Sequence, residues 1–144
     1  MASSDVKALM NQAEELYFRI LKLLIKEHVL PTSTHILVVC GGLTDRDTLM
    51  RAGLTKCVIS NFDSRQKANE FLPLEWSYQD AEAMSYPDEA FDFCIVHEGL
   101  HHCQSQHTAM KEMFSTYINK SLPNLAANLK LRQRWRVGGR CGVP

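Results

Sequence analysis

FDFCIVHEGLHHC, residues 91–103, admits two incompatible readings. His97-Glu98-x-x-His101 is the zincin signature, and His107 stands where a metzincin carries its third zinc ligand. That chemistry needs both imidazoles on one helix, at i and i+4, facing one metal ion. Residues 91–96 instead form a short aromatic and β-branched run with no helix cap before His97. A metzincin also wants glycine three residues after the second histidine, where this chain has Gln104. Residues 91–96 therefore read as a strand. His97, Glu98, His101 and His102 follow as a loop at its carboxyl end. Zinc hydrolysis is kept as the remote alternative, and no metal site is expected.

Working outward from that strand, the same punctuation recurs. HILVVC, 35–40, is a buried strand, followed by Gly41-Gly42 and a short helix capped by Thr44 or Asp45 and closed by Gly53. CVISNF, 57–62, is a second strand, after which Asp63 or Ser64 caps a helix running through Phe71. LEWSY, 74–78, is a third strand, and Pro87-Asp88 turns the chain into the fourth at 91–96. A helix from about Ser105 to Ile118 follows, and Pro123 opens a last one that Gly138-Gly139 ends. Ahead of everything, residues 5–28 have a helical period. Val6, Leu9, Met10, Ala13, Leu16, Ile20, Leu21 and Leu24 form its apolar face, and Pro31 ends it. Strands alternating with helices over short connections predict an α/β fold with a parallel sheet and flanking helices.

Ligands of such sheets bind outside the carboxyl ends of the strands. The residues there are Cys40-Gly41-Gly42 after strand one and Asp63 after strand two, with Asn61 competing because the strand end is not fixed to a residue. Asp80-Ala81-Glu82 follow strand three, and His97-Glu98 strand four. Glycines let a ligand approach the backbone near a helix N-terminus, and an acid after strand two can hold ribose hydroxyls.

ILVVCGGLTDRDTLMRAG, VISNFDSR and QDAEAMSYPDEAFDFCIVHEGLHHC, in that order, resemble the first half of a class I S-adenosylmethionine-dependent methyltransferase of the type 11 kind, over roughly residues 31–114. The resemblance implies a Rossmann-like half-sheet in the strand order 3-2-1-4 and S-adenosylmethionine as cofactor. It implies that Gly41 and Gly42 pass close to the methionine part, that Asp63 holds the ribose, and that Asp80 takes the adenine amino group beside the Ala81 backbone. It sets His97 and Glu98 near the sulfonium, with His97 or His101 as the base if the acceptor is protonated.

Two departures qualify this likeness. The family's Gly-x-Gly-x-Gly loop is Cys40-Gly41-Gly42-Leu43-Thr44 here, and Val38 replaces the acid of strand one. After residues 109–114 the family continues to a fifth strand and a terminal hairpin, whereas this chain offers a basic stretch. Truncation after the fourth strand is therefore expected. The domain plan is an N-terminal helix over 1–30, a cofactor-binding domain over 31–120 and a basic helix or tail over 121–144. The fourth strand would be left as an edge. The C-terminal helix, through Leu122, Leu125 and Leu129, or a partner chain could cover it.

Bulk properties fit these readings. A chain of 144 residues with 45% apolar content supports one core, and no apolar run approaches the roughly 18 to 20 residues of a membrane span. Five cysteines without paired spacing suggest a reducing, cytoplasmic setting, with Cys40, Cys57 and Cys94 as small core residues. The net charge is zero, yet residues 113–144 carry six basic residues and no acid. A solvated end is favoured over a nucleic-acid patch. The expected function is a methyltransferase or its cofactor-binding part, with the methyl acceptor open. The alternative is a non-catalytic methyltransferase-like interaction module.

Overall fold

The computed structural model describes residues 2–117, with side chains from residue 6 onward. Its elements are helix α1 (Ala2–Lys26), strand β1 (Ile36–Val39), helix α2 (Leu43–Ala52), strands β2 (Cys57–Asn61), β3 (Glu75–Tyr78) and β4 (Phe93–Val96), and helix α3 (Gln106–Thr116). The four strands form one parallel sheet in the order β3-β2-β1-β4. Val38 is level with Ile59 on one side and Ile95 on the other.

β1 is central because every one of its side chains can be buried. Ile36, Leu37, Val38 and Val39 have no exposed surface, which is what a strand covered on both faces demands. Alternation sends them to opposite layers. Ile36 and Val38 join Tyr17, Leu21, Leu49 and Leu54 on the face that carries α1 and α2. Leu37 and Val39 join Ala109 and Met113 of α3, with Ala81, Met84 and Phe91, on the other. Each such aliphatic side chain contributes about 1.5–3 kcal/mol.

Local chemistry sets the element ends. The N-cap of α2 is Gly42, in extended conformation, rather than Thr44 or Asp45. Asp45 sits three residues in and its Oδ2 accepts the Gly42 N–H at 2.9 Å, half of a capping box. Gly53 closes α2 with φ 85°, the left-handed region glycine enters without strain. Ser105 caps α3, its Oγ accepting from the Thr108 N–H at 3.2 Å. Glu82 adds to this cap: its two carboxylate oxygens accept the Gln104 and Ser105 N–H groups at 2.9 and 2.8 Å.

Two expectations are corrected. The helix expected from residue 63 or 64 to Phe71 is only a 3-10 turn, Ala68–Glu70. Asp63 Oδ1 instead accepts the Arg65 N–H at 3.0 Å, a local turn that competes with helix formation. In α1 the side that packs is Tyr17 and Leu21, with Phe18, Leu24 and Ile25 beside them. Val6, Leu9, Met10, Leu16 and Ile20 are exposed. The helix expected from Pro123, with Leu122, Leu125 and Leu129, lies outside the described residues, as does the basic tail. No described helix is long and apolar enough to cross a membrane.

Candidate functional site

The carboxyl ends of β1, β2 and β3 open into a cavity of about 360 Å³, within the roughly 300–1,000 Å³ typical of small-molecule sites. Cys40 follows β1, Asn61 ends β2 and Phe62 follows it, and Gln79, Asp80, Ala81 and Glu82 follow β3. The rim is completed by His102, Cys103 and Gln104.

The turn after β1, beside the cavity, is built by close backbone approach. Gly41 N–H donates to the Ser60 carbonyl at 2.9 Å, and Asn61 Nδ2 donates to the Gly41 carbonyl at 2.7 Å. A Cβ on Gly41 would come within 2.7 Å of Ile59 Cγ2 and 2.9 Å of Val38 Cγ1. Gly41 is thus demanded by packing against the sheet. Gly42 differs: a Cβ there would meet nothing within 4 Å. Cys40, just before them, has φ 56°, so β1 ends in a sharp turn. Gly99 packs on that turn, since its Cβ would fall 2.2 Å from Cys40 Cβ. Burial pushes the Cys40 thiol up to about 12, and the neighbouring Cys103 adds to the shift.

Of the residues singled out from the sequence, Asp80 and Ala81 line this cavity, whereas Gly41 and Gly42, which follow the lining residue Cys40 in the chain, are not among the lining residues. Asp80 Oδ1 accepts the Glu82 N–H at 2.9 Å, holding the loop after β3 in its turn. Asp63 is not among the lining residues. Its carboxylate is paired with Arg65, Oδ2 to Nη2 at 2.7 Å, and the hydrogen bonds from Arg65 hold it down to about 2. The competing residue, Asn61, is the one that lines the cavity. Phe62, Gln79 and Cys103 were passed over. Phe62 and Gln79 had only position as a signal, one residue past a strand end, and Cys103 lies seven residues beyond β4; none is an acid or a glycine. Phe62 is 61% exposed and stacks on Tyr78 at 5.1 Å, an aromatic face at the cavity mouth.

His97 stands apart from the lining residues. Its ring stacks on Tyr17 of α1 with centroids 4.1 Å apart, and its Nδ1 lies 3.9 Å from Asp45 Oδ1. Burial pushes the Asp45 carboxyl above the ordinary range, against the pull of the Gly42 N–H and His97. His101 belongs to a 3-10 turn, Leu100–His102, and its exposed ring lies 3.9 Å from that of His102. Glu98, between the two motif histidines, has φ 56°. That left-handed residue breaks any helix through the segment, so His97 and His101 do not share a helical face. No group of three metal-binding side chains occurs among the described residues.

Residues 48–118 match the model of a family described as a methyltransferase domain. This stretch belongs to that methyltransferase family. The match begins inside α2 and runs through β2, β3, β4 and α3, which leaves β1 and Gly41-Gly42 outside it. Three solved structures share the fold. An Anabaena variabilis protein, named as a methyltransferase of an antibiotic biosynthesis pathway, superposes with TM-score 0.59 at 20% identity over 88% of this chain and 56% of its own. The YcgJ protein of Bacillus subtilis gives 0.54 at 16% identity, covering 67% of this chain and 45% of its own. The MccD protein gives 0.51 at 15%, covering 67% and 47%. The chain spans about half the length of these structures. No curated protein matches it. The sheet order β3-β2-β1-β4 is that of a Rossmann-like half-sheet.

Proposed function

We propose that this chain is the S-adenosylmethionine-binding part of a methyltransferase. The observation that carries the reading is the position of the cavity. It opens at the carboxyl ends of β1, β2 and β3 in a 3-2-1-4 sheet, where an open α/β sheet takes its ligand.

The residues present fit a nucleoside. Asn61 offers an amide oxygen toward the ribose, a role supported by its place in the cavity and by the prior pairing of Asp63 with Arg65. Asp80 accepts from the adenine amino group beside the Ala81 backbone, and Phe62 supplies a face for stacking. Gly41 and Gly42 let the methionine part approach the end of β1. When bound, the cofactor supplies a methyl group activated on a sulfonium. The protein's share is alignment and exclusion of water, with a base only for a protonated acceptor. His97 and His101 are the candidate bases. The buried Asp45 beside Nδ1 and the stack on Tyr17 fix the orientation of the His97 ring.

A second reading, a methyltransferase-like module that binds ligand without transferring methyl, is favoured by one contact. Asp45 already occupies the Gly42 N–H, a donor at a helix N-terminus that would otherwise meet a ligand carboxylate.

Calorimetric titration with S-adenosylmethionine and S-adenosylhomocysteine tests both readings. Saturable heat with each supports the cofactor site, and its absence at millimolar ligand removes it. Transfer of labelled methyl to small nucleophiles then separates enzyme from module.

A further inference from the structure

α1 carries two apolar sides, and the fold uses one. Tyr17 and Leu21 are buried against α2 and β1, with Phe18, Leu24 and Ile25 beside them. The other side consists of Val6, Leu9, Ala13, Leu16, Ile20 and Leu23, of which the five larger residues are between 47% and 64% exposed. These positions alternate in steps of three and four over nearly three heptads. β-Branched Val6 and Ile20 fall at a and Leu9, Leu16 and Leu23 at d. This is a narrow two-position seam, and its composition is that of a two-stranded coiled coil.

We propose that α1 pairs with α1 of a second copy of this chain along the seam from Val6 to Leu23. The stripe is its own complement. Side by side, two copies place Leu against Leu and β-branched residues against each other, the arrangement that knobs-into-holes packing requires. Eighteen residues of helix give a contact about 27 Å long. Val6, Leu9, Leu16, Ile20 and Leu23 offer on the order of 100 Å² apiece. Two copies thus cover roughly 1,000 Å², to which the exposed Met10 on the flank adds, and that reaches the ~1,000 Å² a specific interface needs.

The flanks are compatible with this pairing. On one flank Tyr17 and Leu24 are turned into the chain's own core. On the other stand Gln12 and Arg19. In a parallel pair each flank meets the opposite flank of its partner, so Arg19 of one copy faces Leu24 of the other rather than a second arginine. Glu15 lies away from the seam, engaged by Arg51 at 2.7 Å.

Sedimentation velocity of the full chain across a micromolar concentration series tests the pairing. The expected result is a species of twice the chain mass, which the Leu16→Glu/Ile20→Glu double variant returns to a monomer at the same concentrations. Both side chains are exposed, so the circular dichroism of the fold should be retained. A second measurement does not depend on that variant. Under mild oxidation Leu16→Cys should give a covalent dimer several-fold faster than Lys22→Cys, which lies off the seam. A monomer at every concentration, with no preference for Leu16→Cys, overturns the proposal. Slow maleimide labelling of Leu16→Cys in that monomer would assign the stripe to residues 118–144 of the same chain. Flotation of that monomer with anionic phospholipid vesicles would assign it to a membrane surface. Either assignment also overturns the pairing.

Discussion

Asn61 Nδ2 and the Gly41 carbonyl are joined by a 2.7 Å hydrogen bond, which laces the end of β2 to the turn after β1. Ser60 repeats the device one residue earlier, its Oγ donating to the Val38 carbonyl at 3.1 Å. The candidate ribose residue is thus also a strut of that turn. Asn61→Ala should cost about 1–3 kcal/mol of stability, because the buried Gly41 carbonyl loses its donor. It should also weaken S-adenosylhomocysteine at least ten-fold. Asp63→Ala, in which the pair with Arg65 and the turn bond from its N–H are lost outside the cavity lining, should leave the affinity within two-fold. Calorimetric titration of both variants decides between the two residues, and an Asp63 effect larger than that of Asn61 reverses the assignment.

The two glycines of the loop separate in the same way. Gly41→Ala would drive a methyl into Ile59 and Val38 at under 3 Å, an overpacking worth about 1–3 kcal/mol. Gly42→Ala meets nothing within 4 Å and keeps an extended φ of −141°, so its urea midpoint should stay near that of the parent. Equal losses in the two variants would show that the loop is held in some other way.

Alkaline stability carries a signature of the buried thiol under β2. Burial pushes Cys57 from 9.0 up to about 12. The folded chain therefore keeps a proton that the unfolded chain sheds above pH 9. Below that pH the two states bind the proton equally and stability is unaffected. Above it the unfolded state is favoured increasingly until the folded thiol itself ionises. The urea midpoint should hold between pH 7 and 8 and fall above pH 9, with a shallower fall in Cys57→Ser. A fall of the same slope in that variant would place the alkaline loss elsewhere.

Much of this molecule could be read from the chain because β-branched runs are informative when both faces of a strand are covered. HILVVC and CVISNF are such runs, their connections predicted a parallel sheet, and the strand order was implied by the family resemblance. The zincin letters were resolved by the same means, since His97 directly follows a strand. Elements governed by local side-chain hydrogen bonds were less legible. Asp63 looked like a helix cap, yet it accepts the N–H two residues on and makes a turn. α1 was misread for another reason: periodicity finds apolar stripes but does not say which of two meets the core. Among the site residues, Asp80 and Ala81 were accessible from motif and position. Phe62, Gln79 and Cys103 required coordinates, because nothing about an aromatic, an amide or a thiol marks it as a cavity wall.

Hydrogen exchange with and without S-adenosylhomocysteine tests the nucleoside crevice most directly. Slowed exchange confined to the backbone amides of residues 40–42, 61–62 and 79–82 is the result predicted for a ligand seated across the ends of β1, β2 and β3. Protection centred on α1, or none at saturating ligand, would contradict it.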